Sequence, residues 1–154
     1  MIKYIKDKLK VVGKYEIFEN GKKIKEFNNL ITNILLDEMI GILAGYIPNI
    51  DIRYLAVGTD NTAVAADDIV LGTEFARTAY TSRGLTSPPT YGEIVADFYL
   101  SAGEGNTTIE EVGIFGGNTA TEDADSGNLI SHVLWNYEKT SSVELLIRYT
   151  VTLS

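Results

Sequence analysis

The stretch Ser142 to Ser154, SVELLIRYTVTLS, alternates with a period of two almost without a break. Val143, Leu145, Ile147, Tyr149, Val151 and Leu153 point one way, and Glu144, Arg148, Thr150, Thr152 and Ser154 the other, with Leu146 as the exception. That period belongs to a β-strand with one buried and one polar face. A one-residue slip would turn the whole apolar row to solvent, so the register is fixed. The rest of the chain has to supply a sheet for this strand to join.

It does so repeatedly. Val11 to Phe18 is strand-like, Asn20-Gly21 offers the two positive-φ positions of a tight hairpin turn, and KIKEF returns. The segments IRYLAVGTD, ARTAYTSRGL, EIVADFYLS, Thr107–Phe115 and LISHVLW read as further strands, with connectors such as TSPPTYGE and the acidic GGNTATEDADSGN between them. One segment breaks the pattern. In NNLITNILLDEMIGILAG, Leu30, Ile34, Met39 and Leu43 recur at helical spacing, and Leu35, Leu36, Ile40 and Ile42 widen the stripe. A helix over about 30–44 is expected, capped by Asn28 or Asn29 and ended by Gly45. So wide a stripe predicts cover on more than one side, by a sheet or by another chain. Strands in this number with one main helix predict a mainly β fold, an antiparallel β-sandwich with an N-terminal hairpin.

The 154 residues suffice for one domain with its own core, and 45% apolar with 22% charged content is ordinary for a folded soluble protein. No uncharged apolar run approaches the ~20 residues of a membrane span, and the start, MIKYIKDKLK, lacks the apolar core of a signal peptide. Cysteine is absent, which removes disulfides, thiol catalysis and thiolate metal sites together. Charge is lopsided: residues 1–28 carry net +4 and the remainder net −12 of the overall −8. The lysines alternate with apolar residues, as on the solvated face of a strand, and no aromatic–Arg stacking platform for nucleic acid appears. A basic edge docking on an acidic neighbour is the expectation.

Candidate chemistry is sparse. The single His132 has no carboxylate at ligand spacing beside it, which predicts a satisfied structural histidine rather than a metal ligand. No GxSxG elbow accompanies it, and the glycine-rich GIFGGN and VGTDNTA lack the lysine and spacing of a phosphate loop. Glu122, Asp123 and Asp125 are weak candidates for Ca²⁺, and no cofactor is expected. Trp135, Tyr91 and Tyr99 are candidate stacking platforms for a glycan. Glu110 and Glu111, in TTIEEVGIFGG, are neighbours on a strand and point to opposite faces, so they do not converge on one bond as paired catalytic carboxylates must. One of them should be buried and need a cation. Arg77 is the arginine expected to hold Glu111, because its fork satisfies both oxygens, and Gly113 should allow close backbone packing.

The order of these motifs resembles small structural proteins of tailed-bacteriophage virions, components of fibre, collar or tail. The resemblance runs over about residues 28–154 and rests on Gly58; on Leu71, Glu74 and Arg77; on Ile109, Glu111, Val112, Gly113 and Phe115; and on Lys139, Thr140, Leu145, Ile147, Tyr149 and Val151. It adds Glu74 to the expected Glu111–Arg77 ion pair. It implies a non-enzymatic, multimeric virion component, a trimer among the options, assembled in the host bacterial cytoplasm with other virion proteins and copies of itself. Two departures qualify it. No long downstream region of the kind a receptor-binding fibre carries follows the pattern, which weakens direct host recognition. The hairpin of residues 1–28 lies outside the pattern and reads as an attachment device of its own. A carbohydrate-binding β-sandwich module engaging a host-surface glycan is the alternative, and a glycan-degrading enzyme the third reading, for which converging carboxylates are missing.

Overall fold

A computed structural model describes residues 10–86 and 92–154. Tyr91 and most of the proline-containing connector fall outside the described residues. Among the described residues eight antiparallel strands follow one another: β1 (Val11–Glu19), β2 (Lys22–Ile31), β3 (Ile52–Gly58), β4 (Glu74–Leu85), β5 (Glu93–Leu100), β6 (Thr108–Gly116), β7 (Asn128–Glu138) and β8 (Leu145–Leu153). One helix, α1 (Asn33–Leu43), lies between β2 and β3. No helix among the described residues is long and apolar enough to cross a membrane.

The fold is mainly β as expected, but the sandwich is corrected to a closed barrel, in the order β1-β2-β7-β6-β3-β4-β5-β8 with β8 returning to β1. The physical reason lies in the two ends of the chain. β1 pairs with β2 on one side and with β8 on the other, from Val11↔Leu153 to Glu19↔Leu145. β8 in turn pairs with β5 along its length, so the terminal strand is internal and has no free edge. Closure on the far side of the hairpin is brief: β2 meets β7 only at Leu30↔His132 and Ile31↔Ser131. The hairpin strands are thus two staves of the barrel, and the boundary expected at residue 28 falls inside β2.

The turn reads as its sequence dictates. Asn20 (φ 47°) and Gly21 (φ 84°) both occupy the left-handed region that this hairpin turn requires. The turn is tied to the β7–β8 connection by Asn20 N–H to the Glu144 carbonyl (3.0 Å) and Glu144 N–H to Asn20 Oδ1 (2.9 Å).

Alternate residues fill the barrel: Leu145, Ile147, Tyr149 and Val151 of β8 are buried, as the period-two row predicts, and Tyr15 packs on its register partner Tyr149 with ring centroids 4.8 Å apart. The opposite faces of β3, β6 and β7 carry a second, outer cluster, Ala56, Phe115 and Leu129, over which Leu71 of the 59–73 connection is laid. This layer is what gives the outer wall places to bury polar groups.

α1 is shorter at its start than expected. Asn28, Asn29 and Leu30 belong to β2, where Asn28 and Asn29 pair with Lys14 and Gly13; a strand partner outcompetes a cap. Thr32 is the cap residue, and its hydroxyl donates to the Leu129 and Ile130 carbonyls of β7 instead of accepting from a helix N–H. The first helical residue, Asn33, donates its N–H to the Ala66 carbonyl (2.8 Å). The end is as expected: Gly45 takes φ 76° just beyond the helix.

Candidate functional site

Among the described residues, two buried charge clusters on the outer wall and one apolar helix surface stand out. The first cluster forms where β6 and β7 run side by side beneath the 59–73 connection. The β6–β7 register shifts between Ile109 and Glu111. Ile109 enters the core, Glu110 accepts a hydrogen bond from the Asn136 side chain at the surface (2.8 Å), and Glu111 is 1% exposed. Gly58 makes the burial feasible, since a Cβ there would stand 2.4 Å from Glu111 Oε1 and 2.5 Å from the Thr73 carbonyl. Gly113 packs between Leu71 and Leu129, where a Cβ would come within 2.7 Å and 2.9 Å, so the close approach expected there is present.

Glu111 is not held by Arg77. Its Oε2 accepts from His132 Nε2 (2.8 Å) and Gly72 N–H (2.9 Å), and its Oε1 from Thr73 N–H (2.8 Å) and Asp60 N–H (3.3 Å). The other ring nitrogen of His132, Nδ1, lies 2.7 Å from Asp68 Oδ2, which also accepts from Ala65 N–H (2.8 Å). His132 is therefore a satisfied histidine, set between two carboxylates from distant parts of the chain. Burial pushes the Glu111 carboxyl up, yet His132 and the three backbone donors outweigh it and hold it below the usual carboxylate range. Burial likewise pulls the His132 imidazole down, and its hydrogen bonds to Glu111 and Asp68 overcome this, so its pKa lies above the ordinary 6.5. Both ring nitrogens are committed to carboxylates, so neither is left to activate a nucleophile. What this arrangement can do is fasten the 59–73 connection to the barrel.

Arg77 and Glu74 form the second cluster, on β4, with side chains 4% and 2% exposed. The pairing is bidentate, Nε to Oε1 at 2.6 Å and Nη2 to Oε2 at 2.8 Å. Nη1 donates to the carbonyls of Thr121 (2.9 Å) and Ser126 (3.1 Å), and the guanidinium sits 4.6 Å from the Phe115 ring centroid and 5.4 Å from that of Tyr54. Asp125 N–H donates to Glu74 Oε2 (2.9 Å). Arg77 thus clamps the acidic 117–127 connection down the barrel wall. Of the expected ion pair, Glu74 and Arg77 are together and Glu111 belongs to the other cluster. Sequence reasoning read ADD only as an acidic cluster open to a hard cation, and missed Asp68 as the second partner of His132, because the two lie 64 residues apart.

The helix surface is the third feature. Leu35 is buried and Met39 packs against the core, while Leu36, Ile40 and Leu43 are 43%, 67% and 84% exposed. These three, four and three residues apart, share the outer side of α1. The expected face of Leu30, Ile34, Met39 and Leu43 is split: Leu30 lies in β2, Ile34 is half-buried, Met39 turns inward and Leu43 outward. Tyr46, just past the helix, is 89% exposed.

Of the glycan candidates, the two among the described residues, Trp135 and Tyr99, lie apart. Trp135 on β7 is 8% exposed and stacks on Tyr137 (centroids 4.6 Å, 13° between planes), while Tyr99 lies on β5, four strands round the barrel. The Ca²⁺ candidates Glu122, Asp123 and Asp125 are exposed, and among the described residues no group of three or more His, Asp or Glu gathers as a metal site would require. Lys139 is buried and donates to the Ser101 carbonyl (2.8 Å) and Asn106 Oδ1 (2.9 Å), holding the 101–107 turn. No family model, curated protein or solved structure matches the chain.

Proposed function

We propose that the protein is a non-enzymatic structural component of a tailed-bacteriophage virion, a homo-oligomer placed at the tail, neck or collar, fibre or capsid surface. The observation that carries the multimeric part is the outer side of α1: Leu36, Ile40 and Leu43 stand in solvent on a helix whose opposite side is already packed. Burying one such side chain is worth about 1.5–3 kcal/mol, so a row of three is a strong drive to association once a second surface is present. The virion part rests on the motif order from Gly58 to Val151 and on buried charges whose hydrogen bonds are spent fastening connections to the barrel. The test is to look for the chain in purified particles of the phage that encodes it, by peptide mass spectrometry and by fitting the barrel into averaged particle images. A stoichiometric copy number in the particle is expected. Absence from particles, with a stable monomer in solution, would sink the proposal.

A further inference from the structure

The cluster around His132 has a property that hydrogen-bond bookkeeping alone exposes. A neutral imidazole has one N–H and one lone pair. Here both ring nitrogens face carboxylate oxygens, at 2.7 Å and 2.8 Å, and an ionised carboxylate can only accept. With both carboxylates ionised, only the doubly protonated ring satisfies both contacts. We propose that His132 is a proton-operated latch on the 59–73 connection, and that its release loosens α1 and the assembly surface that α1 carries.

The charged groups facing the ring come from two elements: Glu111 from β6, and Asp68 with Asp60 from the connection, Asp67 lining the same cleft of about 420 Å³. Among the described residues neither Glu111 nor Asp68 pairs with any Lys or Arg, so His132 is their one cationic partner. When the ring loses its proton, one nitrogen turns a lone pair on a carboxylate at hydrogen-bond distance, and the buried Glu111 keeps only its backbone donors. The connection is the part able to move, because Glu111 sits on a strand paired on both sides, at Gly58 and Leu134. The coupling to α1 is a single bond. Asn33, the first residue of the helix, donates its N–H to the Ala66 carbonyl (2.8 Å), two residues before Asp68. Release of Asp68 takes that acceptor from a helix whose cap hydroxyl is already committed to β7.

This inference rests on the reading of α1 as the assembly surface, and its test separates the two. His132 is the only histidine, so its imidazole resonances can be followed in the intact protein from pH 5 to 10 without assignment. Amide-exchange protection of Gly72 and Thr73, which donate to Glu111, and of Asn33 is read over the same range, and particle mass by light scattering. Expected are a ring midpoint above 6.5, a drop in protection of tenfold or more at all three amides across that midpoint, and a parallel loss of multimer. His132→Gln should show the low protection throughout, and Asp68→Asn should remove the step at Asn33. A ring that titrates while the three amides keep constant protection overturns the latch. Lost protection with an unchanged multimer overturns the coupling. If no multimer forms at any pH while the latch opens on schedule, the assembly reading fails and the latch stands.

Discussion

At Glu111 four donors converge on two carboxylate oxygens, three of them from the backbone of one connection and the fourth from His132. Replacing Glu111 by Gln removes the charge that His132 needs and turns an amide N–H₂ toward donors that have nothing to accept. The expected loss is about 3 kcal/mol, the scale of a broken buried pair, read from the midpoint of a urea titration. Acid and alkali should act on opposite partners. The His132 pKa is raised on folding, so its contribution is fully present below the ordinary 6.5 and is lost as pH rises through the higher folded value. The Glu111 pKa is lowered, so its contribution is present above the ordinary 4.5 and is lost as pH falls through the depressed folded value. Stability should therefore plateau between the two and decline on either side. Melting curves recorded across pH check this, and His132→Gln should abolish the alkaline decline. Arg77 acts differently, because its fork binds Glu74 and two carbonyls of the 117–127 connection together. Arg77→Lys keeps the charge and loses the fork, so cleavage after the exposed Glu122 by a Glu-specific protease should accelerate by an order of magnitude or more. Unchanged cleavage would mean that the connection is held by its other bonds alone.

Among the elements, those whose signal is local were legible in the sequence. Asn20-Gly21 between two alternating runs names its turn, because few dipeptides tolerate two left-handed residues in succession. Gly21→Val places a β-branched side chain at φ 84° and should cost about 1–3 kcal/mol; a variant as stable as the parent would show that the turn relaxes to another type. The terminal strand was legible for the same reason, since six alternating apolar residues leave one register. The start of α1 was not, because Asn28 and Asn29 are good caps in isolation and their strand partners, Gly13 and Lys14, lie about fifteen residues away. The cation for Glu111 was also illegible. An arginine is the general preference for a buried carboxylate, but His132 reaches Glu111 through strand pairing and Asp68 reaches His132 through a connection, and neither adjacency leaves a mark on spacing.

For the whole molecule, a sandwich and a closed barrel draw on the same alternating strands, and the difference between them here is a two-residue rung joining β2 to β7. Burial patterns along single strands do not encode that rung, which is why fold class was readable and closure was not. Exposed apolar side chains occur on several strands, but the outer side of α1 gathers Leu36, Ile40 and Leu43 on one short element, Leu43 being 84% exposed. That asymmetry is the basis for reading the chain as a building block, since a surface of this kind is covered only when copies or partners meet. Multi-angle light scattering on the purified chain, beside Ile40→Asp and Leu43→Asp in one variant, measures it most directly. The account predicts a multimer for the parent at micromolar concentration and a folded monomer of 16.9 kDa for the variant, with an unchanged circular dichroism spectrum. A parent that remains monomeric to millimolar concentration, or a variant that still assembles, would contradict it.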